Sequence, residues 1–235
     1  MIRPTDIVYR DDDLTLRWMP GRSRRLVVVF NGIRDAFGGT SADEFAQSAS
    51  VRGEYNVLFV TDRRVSWFSV PGLWRRLVRL IRSLRASEGI AEIVTLGNSM
   101  GGYAALLLPR DLRVRRAVAF APQVTMDPAV LRDARWPDVK ARWGVLPVRS
   151  VAATVPETRT QYYVTAGADC PEDMAHLALL PDLPRVHRFV LPRGRHNPAG
   201  GLKRAGLLPE VVAALVQGRK ARVERLYDRF GRIVA

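Results

Sequence analysis

Apolar and polar positions follow two alternating rhythms along the chain. Short runs of β-branched and aromatic residues are separated by stretches in which apolar residues recur every three to four positions. Leu26–Phe30 and Tyr55–Val60 are unbroken apolar runs, which predicts strands buried on both faces. Ile93–Leu96, Val114–Phe120, Tyr162–Thr165 and Val186–Leu191 read the same way. Ile7–Tyr9 and Leu14–Trp18 are shorter strand candidates on either side of an Asp11-Asp12-Asp13 turn.

Helical spacing fills the intervals. It predicts helices over Thr40–Ser50, with Thr40 or Ser41 as cap, and over Met100–Leu108, ended by Pro109. Further helices are expected over Glu172–Leu180 and Leu207–Val216, with a polar C-terminal helix over Arg219–Ile233. In Leu73–Leu84 the apolar residues Leu73, Trp74, Leu77, Val78, Leu80, Ile81 and Leu84 share one face, and arginines fill the other. That pattern reads as a sheet-covering helix with a solvated basic side. Strands alternating with helices predict an α/β class protein, with a mostly parallel central sheet covered on both faces. One domain spanning 1–235 is expected. Residues Pro122–Pro156 break the rhythm: five prolines and two tryptophans, Trp136 and Trp143, suggest a small excursion above the sheet, a reduced lid.

Composition fits this picture. The 235 residues are 47% hydrophobic and 26% charged, enough for a sizeable core and against global disorder. No apolar run is long enough to cross a membrane. The first residues are too polar for a secretory signal, so the cytoplasm is the expected location. A single cysteine, Cys170, leaves no intramolecular disulfide to form. Basic residues outnumber acidic ones by 37 to 23, and nearly all are arginine. That bias looks like coding composition. An alternative is docking on an anionic membrane or polysaccharide through Arg219, Lys220, Arg222, Arg225, Arg229 and Arg232. No nucleic-acid-binding signature accompanies the charge, so no nucleic-acid partner is expected. No zinc spacing, Gly-x-Gly-x-x-Gly or Walker loop is present, and neither a metal nor a cofactor is expected.

The segment that carries chemistry is Ile93-Val94-Thr95-Leu96-Gly97-Asn98-Ser99-Met100-Gly101-Gly102-Tyr103-Ala104-Ala105-Leu106. A bare Gly-x-Ser-x-Gly arises by chance in about one chain in fourteen of this length, so the motif alone says little. Its context says more. An apolar strand runs directly into it and an Ala/Leu helix leaves directly from it, as a nucleophile elbow requires. The serine must sit on a tight strand-to-helix turn, with glycines where a Cβ would collide.

Elbow and element order together resemble the α/β-hydrolase superfamily, over most of the chain from about Leu26 to Val216. The resemblance implies a three-layer α/β-hydrolase fold with a small or absent lid, and Ser99 as nucleophile. It places the acid after a later strand and the histidine after the last one.

Of the three histidines, His176 falls in a predicted helix and His187 in or beside a predicted strand. His196 lies in Pro192-Arg-Gly-Arg-His-Asn-Pro, a loop after the last strand, where an imidazole can reach a hydroxyl and pass a proton on. For the acid, Asp169 ends the strand-and-turn Tyr163-Val-Thr-Ala-Gly-Ala-Asp and completes the order Ser99, Asp169, His196. Asp173, which also reads as a helix-capping carboxylate, and Asp127 are the rivals. Oxyanion donors are expected from the amide of Met100 and from the loop after Leu26–Phe30, where the resemblance maps the second amide to Ile33. Asn31 and Gly32 belong to that turn, with Asn31 where the family often has His. Trp67 and Phe68 either line a substrate pocket or belong to the local core. Asp62 either binds a substrate hydroxyl or pairs with Arg63 or Arg64. Cys170 reads as a packing residue.

The expectation is a serine hydrolase acting on a small-molecule, lipid or glycan ester or thioester. An acyltransferase using the same acyl-enzyme is the nearest alternative, and a non-catalytic binding protein on the same fold is another.

Overall fold

The computed structural model describes residues 6–33, 45–143, 146–192 and 195–233. Among the described residues there are eight strands, β1 (Asp6–Arg10), β2 (Leu14–Met19), β3 (Arg25–Phe30), β4 (Asn56–Asp62), β5 (Glu92–Asn98), β6 (Arg116–Phe120), β7 (Gln161–Gly167) and β8 (Val186–Leu191). They form one sheet in the order β1-β2-β4-β3-β5-β6-β7-β8. β1 and β2 pair antiparallel, β2 joins β4 antiparallel, and all pairings from β4 to β8 are parallel. β1 forms one edge and leaves Ile7 and Val8 exposed.

The buried runs make two cores because successive side chains point to opposite faces. In β3, Leu26, Val28 and Phe30 join one cluster, and Val27 and Val29 join the other. The first cluster holds the apolar stripes of α2 (Leu73–Ser87) and α3 (Met100–Leu107). The second is closed by α6 (Pro198–Arg204), α7 (Leu208–Gln217) and α8 (Lys220–Phe230). Two further helices, α4 (Pro137–Trp143) and α5 (Pro171–Ala178), send Val139 and Leu177 against the first cluster. Sheet and helices thus make the three layers expected of the fold class. Among the described residues no helix is long and apolar enough to cross a membrane.

Residues 40–44 of the expected Thr40–Ser50 helix lie outside the described residues, and within 45–50 the structure holds the short α1 (Ala46–Ala49). The C-terminal helix is amphipathic rather than polar, because Val223, Leu226 and Tyr227 are buried, and Tyr227 Oη bonds Thr165 Oγ1 at 2.8 Å. Its basic side is partly neutralised: Lys220 faces Glu224, Arg222 faces Glu210, and Arg232 just beyond it faces Asp228.

The parallel strands bring four loops to one end of the sheet. The segments after β3, β5, β7 and β8 carry Asn31–Ile33, Ser99, Asp169–Asp173 and His196, and ligand sites of open α/β sheets form at this end.

Candidate active site

Ser99 joins β5 to α3 at φ 55°, ψ −119°. A non-glycine residue is strained there by about 1–3 kcal/mol. The surroundings enforce the bend. Its N–H donates to the Phe120 carbonyl at 2.9 Å, and its carbonyl accepts the Tyr103 N–H at 3.1 Å. A Cβ on Gly97 would lie 2.1 Å from the Gly101 carbonyl oxygen, and one on Gly101 would lie 2.1 Å from the Phe30 oxygen. The two motif glycines therefore let β5, α3 and β3 approach closely enough to hold the turn.

His196 sits immediately before α6. Asn197 caps that helix by accepting the Gly200 N–H at 2.7 Å, and Pro198 opens it, so the chain direction at His196 is set by an ordinary helix start. Its Nε2 lies 2.8 Å from Ser99 Oγ.

The carboxylate behind the imidazole is Asp173, not Asp169. Asp173 Oδ1 and Oδ2 lie 2.8 and 3.0 Å from His196 Nδ1, and its side chain is fully buried. Asp169 is exposed in the turn after β7 and accepts the Arg195 N–H at 2.6 Å. It thereby braces the left-handed Arg195 (φ 43°) next to His196. Asp127 is further away in function: it accepts from exposed Arg149 at 2.7 Å.

Asp173 is buried together with a cation. Arg135 Nη1 lies 2.9 Å from its Oδ1 and 3.0 Å from His196 Nδ1, so guanidinium and imidazole share one carboxylate oxygen. The same guanidinium meets Asp133 at 2.6–3.0 Å. Asp133 Oδ2 lies 3.0 Å from Nε2 of buried His176, whose Nδ1 accepts the Val124 N–H at 3.2 Å. A backbone N–H can only donate, so His176 Nδ1 carries no proton and Nε2–H faces Asp133. Burial lowers the His176 pKa, in keeping with that neutral ring. Burial opposes ionisation of Asp133, but donors from Arg135 and His176 outweigh it and hold the carboxyl well below the usual range. His176 is thus a satisfied core histidine. His187 packs on the Tyr163 ring and bonds Gln161.

Cys170 Sγ, Asp173 and His196 Nδ1 offer donor atoms within 4.8 Å of one another. Arg135 Nη1 already reaches all three, at 3.8 Å from the sulfur. Burial also pushes the thiol up to about 11, which keeps it protonated and a poor metal ligand or nucleophile.

A cavity of about 620 Å³ opens over Ser99 and His196. Gly32, Ile33, Asn98, Trp136 and Leu208 form walls, with Arg195 and Lys203 adding positive charge. Gly32 and Ile33, the expected oxyanion turn, lie on its wall. Asn31 stands behind the wall, buried, donating to Thr61 Oγ1 at 2.8 Å. Trp67 and Phe68 do not line this cavity. Phe68 packs edge-on against Phe30 and Trp74 in the core. Trp67 lines a second cavity of about 430 Å³, with Met126, Val139 and Leu146, and its ring contacts Trp136 with centroids 5.9 Å apart. The Trp143 side chain lies outside the described residues. Asp62 takes neither expected role. It is fully buried and accepts the N–H groups of Arg64, Ser66 and Phe68 and the Ser66 hydroxyl at 2.8–3.0 Å. It fixes a turn with three left-handed residues, Val65, Trp67 and Phe68.

No protein-family model matches the chain, and no curated protein matches it in sequence. Solved structures do match. Est1E from Butyrivibrio proteoclasticus superposes with a TM-score of 0.63 at 14% identity, covering 92% of this chain and 99% of that one. An alpha-beta serine hydrolase homologue from Coxiella burnetii gives 0.56 at 14% identity over 93% and 98%. The capsule O-acetyltransferase of Neisseria meningitidis serogroup A gives 0.61 at 13% identity over 89% and 93%.

The chain has an α/β-hydrolase fold.

Within the α/β-hydrolase fold, three side chains near Ser99 escape a motif search. Asp173 reads locally as a helix-start carboxylate, and only its burial against Arg135 distinguishes it. Arg135 and Gln123 come from the irregular Pro122–Pro156 segment, which reaches behind the site as well as over it. Gln123 is fully buried. Its Nε2 lies 3.2 Å from both Ser99 Oγ and His196 Nε2, and its Oε1 lies 3.3 Å from Ser99 Oγ and from Trp67 Nε1.

Proposed function

We propose that this α/β-hydrolase-fold protein is a serine hydrolase of carboxylic esters or thioesters, with Ser99 as nucleophile, His196 as base and Asp173 as the orienting acid. The observation that carries the reading is the unbroken contact path from Ser99 Oγ to His196 Nε2 at 2.8 Å and from His196 Nδ1 to Asp173 at 2.8 Å. Asp173 accepts from Nδ1–H, which leaves the Nε2 lone pair facing the hydroxyl.

In the proposed mechanism Ser99 Oγ bonds to the acyl carbon while its proton moves to His196 Nε2. The oxyanion accepts from the amides of Met100, at the start of α3, and Ile33. The carbonyl re-forms, the bond to the leaving alcohol or thiol breaks, and that group takes the proton from Nε2. Water then repeats the sequence: its proton goes to His196, the acyl–Oγ bond breaks, and Oγ is reprotonated. Arg195 and Lys203 on the cavity wall favour substrates with an anionic group near the ester.

Transfer of the acyl group to an alcohol or sugar uses the same intermediate and differs only in the acceptor; the likeness to an O-acetyltransferase keeps it as the second reading. The test is hydrolysis of a short-chain nitrophenyl ester by wild type and Ser99→Ala. Loss of about 10⁴- to 10⁶-fold in kcat with an unchanged circular dichroism spectrum is expected. Equal turnover would refute the reading. Product analysis with added alcohols or sugars separates hydrolysis from transfer.

A further inference from the structure

The Gln123 carboxamide has the wrong surroundings for a packing residue. It is buried among groups that leave little freedom in its orientation. Trp67 Nε1–H is a donor only, so the Gln123 atom 3.3 Å from it has to be the acceptor Oε1. The NH₂ group then lies 3.2 Å from Ser99 Oγ and 3.2 Å from His196 Nε2, while Oε1 lies 3.3 Å from the same Oγ. The Ser99 hydroxyl has one proton, and at 2.8 Å it goes to the His196 Nε2 lone pair. That lone pair is then used, and Oγ has no second proton to give Oε1, which accepts from Trp67. The remaining match is Gln123 N–H donating to Ser99 Oγ.

Resting on the serine-hydrolase reading above, we propose that Gln123 is a further catalytic residue: its Trp67-anchored amide donates to Ser99 Oγ and stabilises the negative charge that develops there as the acyl-enzyme forms and breaks. Oγ carries charge at two moments. One is during attack, as its proton leaves for His196. The other is during deacylation, when water's oxygen bonds to the acyl carbon and the electron pair of the breaking C–Oγ bond returns to Oγ, which then takes the proton from Nε2. A donor fixed on Oγ stabilises both states and requires no reorganisation. The geometry has a second consequence. Once His196 is protonated, Nε2–H and Gln123 N–H are two donors 3.2 Å apart. Gln123 offers the imidazolium no acceptor there, so its proton goes to the leaving group.

The test uses three variants of the full chain and fluorophosphonate labelling of Ser99, which reports attack by Oγ without requiring the natural substrate. Gln123→Met keeps length and burial but removes the donor. It is expected to lower the labelling rate and nitrophenyl-ester kcat by about 10²-fold, with KM within about twofold of wild type. Trp67→Phe keeps the ring and removes the anchor; it is expected to slow both by about threefold to tenfold and to add nothing in the Gln123→Met background. Gln123→Glu keeps the shape but is ionised where His196 is neutral, so it has no proton to give Oγ and instead accepts from Nε2–H. Its pH profile is expected to rise at higher pH than wild type's, because the carboxylate holds the imidazolium proton, and to level off about 10²-fold lower, because the donor to Oγ is lost; a purely structural role would not produce this pairing.

Wild-type labelling with Gln123→Met labelled at the wild-type rate overturns this proposal alone. Absence of labelling in the folded wild type overturns the hydrolase reading and this proposal with it. Should Gln123→Met fail to fold, a Gln123→Glu profile parallel to wild type overturns the proposal.

Discussion

The two ends of the contact path through His196 are held by different forces. At Ser99 the constraint is steric: a Cβ at Gly97 or Gly101 would stand 2.1 Å from a backbone oxygen. At Asp173 the constraint is electrostatic. A carboxylate with no solvent exposure lies against Arg135, which Asp133 holds in turn, with His176 behind it. The first end is built from one contiguous strand, turn and helix. The second draws on α5, the loop before α6 and the irregular segment between β6 and β7. Removing atoms should therefore do most damage at the charged end, and adding atoms most at the steric end.

The largest effect is expected from Asp173→Asn. It removes the acceptor that fixes the His196 tautomer and should lower kcat by about 10⁴-fold. Asp169→Asn, which only loosens the bond to Arg195 N–H, should stay within about tenfold. Steady-state ester hydrolysis by the two variants compares the carboxylates directly, and equal losses would break the distinction between them.

Gly97→Ala probes the other end. Overpacking against the Gly101 backbone is expected to destabilise the fold by at least about 1–3 kcal/mol and to displace Ser99. Urea unfolding reads the first effect and fluorophosphonate labelling the second. Wild-type values for both would show that the turn does not need its glycine.

Arg135→Met leaves Asp173 buried without a countercharge. Stripping one partner from a buried pair costs about 3–5 kcal/mol, an upper bound here because Arg135 is partly exposed. A midpoint shift in urea corresponding to at least about 1 kcal/mol is expected, with reduced kcat. A fully stable and active variant would show that Arg135 is incidental.

The smallest effect is the pH dependence of stability contributed by Asp133. Its folded-state pKa is depressed below the ordinary carboxylate value. Its contribution is therefore complete above that ordinary value, near 3.9, and is lost as pH falls through it toward the lower folded pKa. Urea midpoints measured from pH 6 to pH 3 should fall less steeply for Asp133→Asn than for wild type. Parallel slopes would remove Asp133 from the account.

The same contrast explains what the sequence discloses. Strands, the covering helices, Ser99 and His196 follow from local rules: apolar runs, helical stripes, a Gly-x-Ser-x-Gly between strand and helix, and a histidine in a loop after the last strand. Asp173 does not follow from them. Asp169 and Asp173 lie in one short stretch, and which one turns inward depends on Arg135, many residues away in a segment without periodicity. Gln123 and the Asp133–His176 pair are hidden for the same reason. Asp62 looks like a site carboxylate by position, yet its partners are the N–H groups of its own turn, which sequence spacing does not reveal.

Ser99, His196 and Asp173 are proposed to act as one catalytic unit. Peptide mapping of the native chain after fluorophosphonate treatment, for wild type, His196→Ala and Asp173→Asn, tests this. A single adduct on Ser99 is expected in wild type, with labelling slowed by orders of magnitude in both variants. Native protein that stays unlabelled, or that labels equally fast without His196 or the Asp173 carboxylate, would contradict it.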